Sequence, residues 1–295
     1  MRVRVLGAAA GGGFPQWNCA CPNCAGVRGG TMKAKPRTQA CIAISGDGDH
    51  WYLIGASPEI RAQIESFPAL HPRPPRQTPL AGILLLNGDL DHTLGLLSLR
   101  EWSRLDIYAT SAVQAAFTQG NILNRALQRY ENHSVWHRIE PGQSFELKGG
   151  LRIDPIAVPG KPPIYVTDTN RADREWNLGL RIAQGDSVIG YFPGVAAVDA
   201  ALARALTGLQ ALFFDGTLWA DDELISLGLA QVRGRDMAHL PVAETLRHLH
   251  DLDTSRRWFI HVNNTNPILD EASEPARRVR DAGWRVAEDG EEFAL

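Results

Sequence analysis

Positive charge is not in surplus in this chain. Thirty Lys and Arg face 33 Asp and Glu, giving a formal net charge of −3. Nucleic-acid binders advertise themselves by a basic excess, so that class is set aside. Long apolar runs are also missing. The longest, around Ile83–Leu86, falls far short of the ~20 residues a membrane helix needs. Met1–Leu6 carries two arginines but no apolar stretch after them. No secretory leader is expected, and a cytoplasmic location follows as the expectation. Cysteine is scarce, with four in 295 residues, so no disulfide framework is implied. Gly11–Gly13 lacks the Gly-Lys-Ser/Thr ending of a phosphate loop, and no dinucleotide fingerprint or internal repeat is present.

What is there is an ordinary globular balance, 44% hydrophobic and 21% charged, in a chain long enough to bury a sizeable core. Short β-like runs predominate: Arg2–Leu6, Cys41–Ser45, Trp51–Ile54, Gly82–Leu86, Asp106–Ala109, Leu151–Val158, Gly179–Ile182, Val188–Phe192, Ala211–Phe214, Trp258–His261 and Trp284–Val286. Helical patterns fall at Pro58–Glu65, Thr93–Trp102, Ser111–Gln119, Asp199–Leu209, Val242–Leu249 and Glu274–Asp281, with Asp199 and Ser111 as N-caps. The Pro-rich His71–Pro75 reads as an exposed connection inside one domain. Many strands with helices among them suggest two packed sheets with helices outside, an α/β or α+β class.

The sharpest chemical signal is Leu84-Leu-Leu-Asn87-Gly-Asp89-Leu-Asp91-His92-Thr93. An apolar strand delivers two carboxylates and an imidazole onto a turn before a helix. In extended chain Asp89 and Asp91 share one side, and close carboxylates repel unless a cation intervenes. A helix-capping Asp91 with a solvated Asp89 is the plainer alternative. Two further strand ends carry Asp215 and His261, and the three ends together suggest a converging metal site.

A second signal is Cys19-Ala-Cys21-Pro-Asn-Cys24. Three thiols this close suit tetrahedral zinc, which needs a fourth donor. His261, Asn264 and His239 are the candidates, and unligated cysteine is the alternative. Cys41 reads as a small buried packing residue.

The Asp-rich turn, Asp215 and His261 resemble the metal motifs of the metallo-β-lactamase superfamily. Asn87-x-Asp89-x-Asp91-His92 stands where that superfamily has His-x-His-x-Asp-His, and Ile156–Lys161 offers no counterpart to its intermediate histidine. The phrases Gly11-Gly-Gly-Phe-Pro-Gln-Trp-Asn-Cys19, Asn87–Leu96, Met237-Ala-His-Leu-Pro241 and His261-Val-Asn-Asn-Thr-Asn-Pro-Ile-Leu269 narrow the resemblance to the coenzyme PQQ synthesis protein B family, over nearly the whole chain. The resemblance implies a four-layer αββα sandwich over residues 1–295, with a zinc-knuckle loop at about 11–30. It implies an active-site ion on Asp91, His92 and His261, with Asp215 as a further or bridging carboxylate, and a structural zinc on Cys19, Cys21 and Cys24. Asp89 and His239 are the expected proton-moving residues.

The implied function lies in pyrroloquinoline quinone (PQQ) biosynthesis: Fe(II)- and O₂-dependent oxidation of the tyrosine ring of a crosslinked Glu–Tyr intermediate. A carrier of PQQ or its precursor toward the periplasm is the alternative, and a metal-dependent hydrolase the second. Lys161, Arg171 and Arg174 are either partners for substrate carboxylates or a solvated stretch. His71, His133, His137, His248 and His250 are read as surface or packing residues. Membrane insertion is not expected, and a homodimer is compatible with the sequence.

Overall fold

The structure is a computed structural model and describes residues 1–295 except 102, 120, 130 and 167–173. Two mixed seven-stranded sheets face each other. The first contains β1 (Arg2–Gly7), β2 (Cys41–Ser45), β3 (Trp51–Ile54), β4 (Leu80–Leu84), β5 (Leu105–Ala109) and β6 (Ser134–Arg138). The second contains β7 (Phe145–Leu147), β8 (Leu151–Ala157), β9 (Leu178–Gln184), β10 (Ser187–Phe192), β11 (Ala211–Asp215), β12 (Arg256–Ile260) and β13 (Arg285–Val286). The C-terminal strand β14 (Glu292–Ala294) returns to pair antiparallel with β1 at the edge of the first sheet. Each sheet is antiparallel at one end and parallel at the other: β3 to β6 run parallel, as do β10 to β13.

The helices are α1 (Pro22–Gly29), α2 (Ile60–Glu65), α3 (Leu90–Thr93), α4 (Ser111–Thr118), α5 (Ala200–Ala205), α6 (Glu223–Ser226), α7 (Val242–His248) and α8 (Glu274–Asp281). Side-chain alternation along the strands sorts the apolar residues into three cores. Val3, Val5, Ile42, Ile44, Leu84, Phe213, Trp258 and Ile260 meet between the sheets. Their neighbours in sequence turn outward. Ala43, Ile83 and Ile107 pack with Ile60 of α2 and Val113 of α4. Leu212, Phe214 and Phe259 pack with Leu202 of α5, Val242 of α7 and Val279 of α8. Three cores between four layers are the αββα sandwich expected from the resemblance. Cys41 is fully buried in the outer core of the first sheet, as a packing residue should be.

Several expected boundaries move. Thr110, not Ser111, caps α4, its hydroxyl accepting from Val113 N, because the residue with extended backbone just before the helix is the one able to reach back. Asp199 caps α5 as expected, accepting from Leu202 N. The helix anticipated over Thr93–Trp102 starts three residues earlier, as the short α3, and continues only as a 3-10 stretch, Leu94–Leu99. The boundary falls at Thr93, whose φ of −129° leaves the helical range, and Gly95 just beyond it packs so close to the backbone of Ser57 and Ala56 that a Cβ would sit 2.1 Å from Ser57 O. Trp102 and Arg171 lie outside the described residues. Pro155 is tolerated inside β8 because β7 is short, pairing only with residues up to Ile153, so Pro155 has no β7 partner on that side. No helix among the described residues is long and apolar enough to cross a membrane.

Candidate metal centre

The parallel ends of the two sheets bring the distant motifs together. Past β4, the chain runs through Asn87 and Gly88 into α3, which carries Asp91 and His92. Asn87 shapes this turn, its side-chain oxygen accepting from Asp89 N at 3.0 Å. Asp91 therefore sits in a helical turn and not in extended chain, which corrects the side-sharing expected for Asp89 and Asp91. The two carboxyls still oppose each other. Burial, then the neighbouring Asp91, pushes the Asp89 carboxyl above its ordinary value. Burial pushes Asp91 the same way, but the His92 and His261 imidazoles outweigh it and hold Asp91 well below the usual carboxylate range.

Asp91, His92 and His261 converge. Asp91 Oδ2 lies 3.0 Å from His261 Nε2 and 3.6 Å from His92 Nε2, and the two imidazoles stack with centroids 5.2 Å apart. His261 leaves β12 with a left-handed backbone, φ 58°. A bulky non-glycine residue adopts that conformation only where its surroundings impose it, a pattern concentrated at functional sites. Ala238, immediately before His239, is also left-handed, φ 67°. Burial pushes the His92 imidazole below its ordinary value, whereas Asp91 more than offsets burial at His261 and raises it.

Behind this group, Asp215 ends β11 with no solvent exposure. Its Oδ2 accepts from Val195 N at 2.8 Å and His239 Nδ1 at 2.7 Å. Its Oδ1 accepts from Thr217 N at 2.9 Å and Thr217 Oγ1 at 2.6 Å. Burial raises the Asp215 carboxyl and His239 outweighs it, leaving it below the ordinary value. Thr217 Oγ1 is also 2.9 Å from His261 Nδ1. Two triplets thus have ligand atoms within 4.8 Å of one another: Asp91, His92 and His261, and Asp215, His239 and His261. Thr217 was not singled out by sequence reading, because a threonine two residues past an aspartate looks like turn chemistry. Its neighbour His261 is 44 positions away.

Donor chemistry fits a cation in the first triplet. Thr217 Oγ1 lies nearer to Asp215 Oδ1, 2.6 Å, than to its other acceptor, His261 O, 3.0 Å, so its proton goes to Asp215 and it accepts from His261 Nδ1–H. Neutral His261 then presents a bare Nε2 to the Asp91 carboxylate, two acceptors 3.0 Å apart. Something positive belongs between them, either a proton or a metal ion.

The knuckle stands beside this site. Cys19, Cys21 and Cys24 have sulfurs within 4.8 Å of one another. The side-chain amide of Asn264 faces all three, its Nδ2 at 3.2, 3.6 and 3.3 Å from Cys19, Cys21 and Cys24 Sγ. His261 and His239, the other candidate fourth donors, are engaged with Asp91 and Asp215 instead. Burial raises the Cys19 thiol, but hydrogen bonds from Cys21, Cys24 and Asn264 outweigh it and leave it lowered. Burial pushes Cys21 up to about 11. Three sulfurs this close suit a shared zinc ion, which would hold all of them as thiolates. Asn23 in α1 donates to the carbonyls of Asn264 and Asn266 at 3.0 and 2.9 Å, tying the knuckle to the loop after His261.

Of the remaining sequence candidates, the Lys161 charge favours the ionised form of Asp89, and Arg174 pairs with Asp199 at the surface, 3.7 Å apart. His137 is bonded to Asp106 at 2.6 Å and stacked on Tyr108, a packing role as expected.

Comparison with known proteins agrees with this architecture. Residues 50–262 match the beta-lactamase superfamily domain. The chain is 40% identical to coenzyme PQQ synthesis protein B of Methylobacterium sp. (strain 4-46), covering 98% of both chains. It is 41% identical to that of Azotobacter vinelandii, covering 100% of both. The crystal structure of Zn(2+)-bound PqqB from Methylobacterium extorquens superposes with a TM-score of 0.94, at 39% identity and full coverage of both chains. A diphosphatase of the PhnP family shares the fold, with a TM-score of 0.71 at 19% identity, covering 100% of this chain and 97% of the other. Full-length identity and superposition together show that this chain belongs to the coenzyme PQQ synthesis protein B family, within the metallo-β-lactamase fold.

Proposed function

We propose that this chain acts in PQQ biosynthesis as a non-haem iron-dependent oxygenase, on the tyrosine ring of the crosslinked Glu–Tyr intermediate. The observation that carries this reading is the Asp91–His92–His261 triplet, one carboxylate and two imidazoles converging on one point. That donor set is the one used by non-haem Fe(II) oxygenases, which leave the remaining positions open to small molecules. Iron held there would supply the O₂ chemistry needed to oxidise a phenol ring.

The chain's own residues do the rest. Asp91 supplies charge, and its position between His92 and His261 fixes the geometry. Asp89, whose carboxyl is raised by burial and by Asp91, would hold or move a proton for the bound ring in this reading. His239, held by Asp215 through Nδ1, is the second proton-handling group. The half of the superfamily site that would hold a second hydrolytic ion is not supported: Asn87 replaces a histidine, and Ile156–Lys161 contains none. At the knuckle, Asn264 is the fourth zinc donor in our reading. Rotation of its amide would turn Oδ1 toward the sulfurs, and the ion's role there is structural.

The test is O₂ uptake by anaerobically purified, iron-loaded protein given the tyrosine-containing intermediate and an external two-electron reductant, which takes the second oxygen atom to water. Stoichiometric O₂ consumption with oxidised product is expected, and Asp91→Ala or His92→Ala should abolish it. Tight binding of PQQ with no O₂ uptake would instead favour a carrier.

A further inference from the structure

The superfamily resemblance casts Asp215 as a metal-bridging carboxylate, and its surroundings argue otherwise. A carboxylate has about four lone-pair sites. All four at Asp215 are taken by protein donors: Val195 N and His239 Nδ1 on Oδ2, Thr217 N and Thr217 Oγ1 on Oδ1. Two of these are backbone N–H groups, one on each oxygen, and they cannot do anything but donate. A metal on either oxygen would strip a fully buried donor of its partner, a loss that folded proteins avoid.

The proton positions then follow in order. Each partner of Asp215 must donate, so His239 carries its proton on Nδ1 and Thr217 spends its only hydroxyl proton on Asp215. Two acceptors compete for that proton, Asp215 Oδ1 at 2.6 Å and His261 O at 3.0 Å; the shorter contact is to the carboxylate, so Thr217 Oγ1 turns its lone pairs to the ring nitrogens, His261 Nδ1 at 2.9 Å and His239 Nδ1 at 3.0 Å. His261 carries its proton on Nδ1 in consequence, and its Nε2 is the atom turned toward Asp91 Oδ2, 3.0 Å away.

We propose that Asp215 and Thr217 are positioning residues and not metal ligands: together they lock the protons of His239 and His261 on Nδ1, so that His261 offers Nε2 to a single ion shared with Asp91 and His92. The inference rests on the metal reading of that triplet and adds to it a role for two residues that do not touch the ion. Asp215 anchors, Thr217 transmits, and His261 presents its donor atom already oriented. Partners of this kind behind a ligating histidine commonly govern affinity by about 10- to 100-fold.

The experiment uses the full chain with Zn²⁺ as the probe. The ¹⁵N and ¹H resonances of its histidine rings report the filling of this site, so an ion at the cysteines does not count. In the zinc-loaded protein, both His239 and His261 should carry their proton on Nδ1. Thr217→Val should weaken zinc binding at the histidines by about 10- to 100-fold and leave the His261 ring with mixed proton positions. Thr217→Ser, which keeps the hydroxyl, should restore both. Zinc on Nδ1 of His239 or His261 would overturn the inference, as would wild-type affinity in Thr217→Val. If Thr217→Val does not fold, the proton positions in the wild-type protein decide alone. Wild-type protein whose histidines never respond to Zn²⁺ would overturn the underlying metal reading, and this inference with it. Zinc on Nδ1 would sink this inference only.

Discussion

At the scale of single residues, the chain places charge where burial alone would forbid it and answers each instance locally. Glu223 is an example outside the Asp91, His92 and His261 group. It is buried at the start of α6, accepting from Trp219 N at 2.7 Å and from the Thr265 hydroxyl. Burial pushes its carboxyl from the ordinary 4.5 up to about 7. The folded chain thus holds more protons here than the unfolded chain between those values. Its contribution to stability is full below about 4.5 and is lost as pH rises through 7. The loss is of order 3 kcal/mol. Glu223→Gln should flatten the fall in unfolding free energy over that range, as read by urea titrations at several pH values. An unchanged slope would mean that the carboxyl is not the group responsible. Asp91, His92, His261 and the three cysteines were legible in the sequence because each is a reactive residue at a strand end or in a tight cluster. Thr217 and Glu223 were not. Their roles depend on partners 44 and 42 positions away, and neither residue type is unusual by itself.

At the scale of elements, short pieces are held in place by close backbone contact more than by their own propensity. Helix α3 has four residues, too few to be stable alone. It is pinned to the loop after β3: Ala56 N donates to His92 O at 2.8 Å, and Gly95 N donates to Ala56 O at 2.9 Å. Only glycine fits at Gly95, where a Cβ would collide with backbone oxygens of Ser57 and Ala56. Gly95→Ala should push α3 away from that loop and cost about 1–3 kcal/mol of stability, measured by chemical denaturation. It should also weaken metal binding, because His92 moves with the helix. Unaltered stability would show that the loop yields freely. The sequence suggested one helix over Thr93–Trp102 because Leu94 and Leu97 stand a helical three residues apart, whereas the packing of Gly95 against Ser57 and Ala56, far back in the chain, leaves no local signal. The strands were easier to place, since alternation and apolar runs are local signals. The three-residue β7 and β14 escaped because they are brief, and β6, Ser134–Arg138, because this edge strand is half polar, with no apolar run to mark it.

At the scale of the whole molecule, the two sheets bring their parallel ends to a common edge. That edge gathers α3 from the first sheet and the ends of β11 and β12 from the second. The layered class was readable from the mixture of strands and helices, but the pairing order of the strands was not. Local pattern does not say that β14 returns to β1, nor that β4 and β12 end side by side. The resemblance supplied that arrangement, and the geometry supplies its reason. Each sheet contributes only part of a ligand set, so the site forms only when the sandwich closes. An ion bound there ties the halves together and should stabilise the folded chain by about 2.7 kcal/mol at a hundredfold excess over its dissociation constant. The most direct measurement is anomalous X-ray scattering at the iron edge, from crystals grown anaerobically with ferrous iron. The account predicts one iron peak bounded by Asp91, His92 and His261, with Asp215 still bonded to Val195, Thr217 and His239. An iron peak on Asp215, or none among those three side chains, would contradict it.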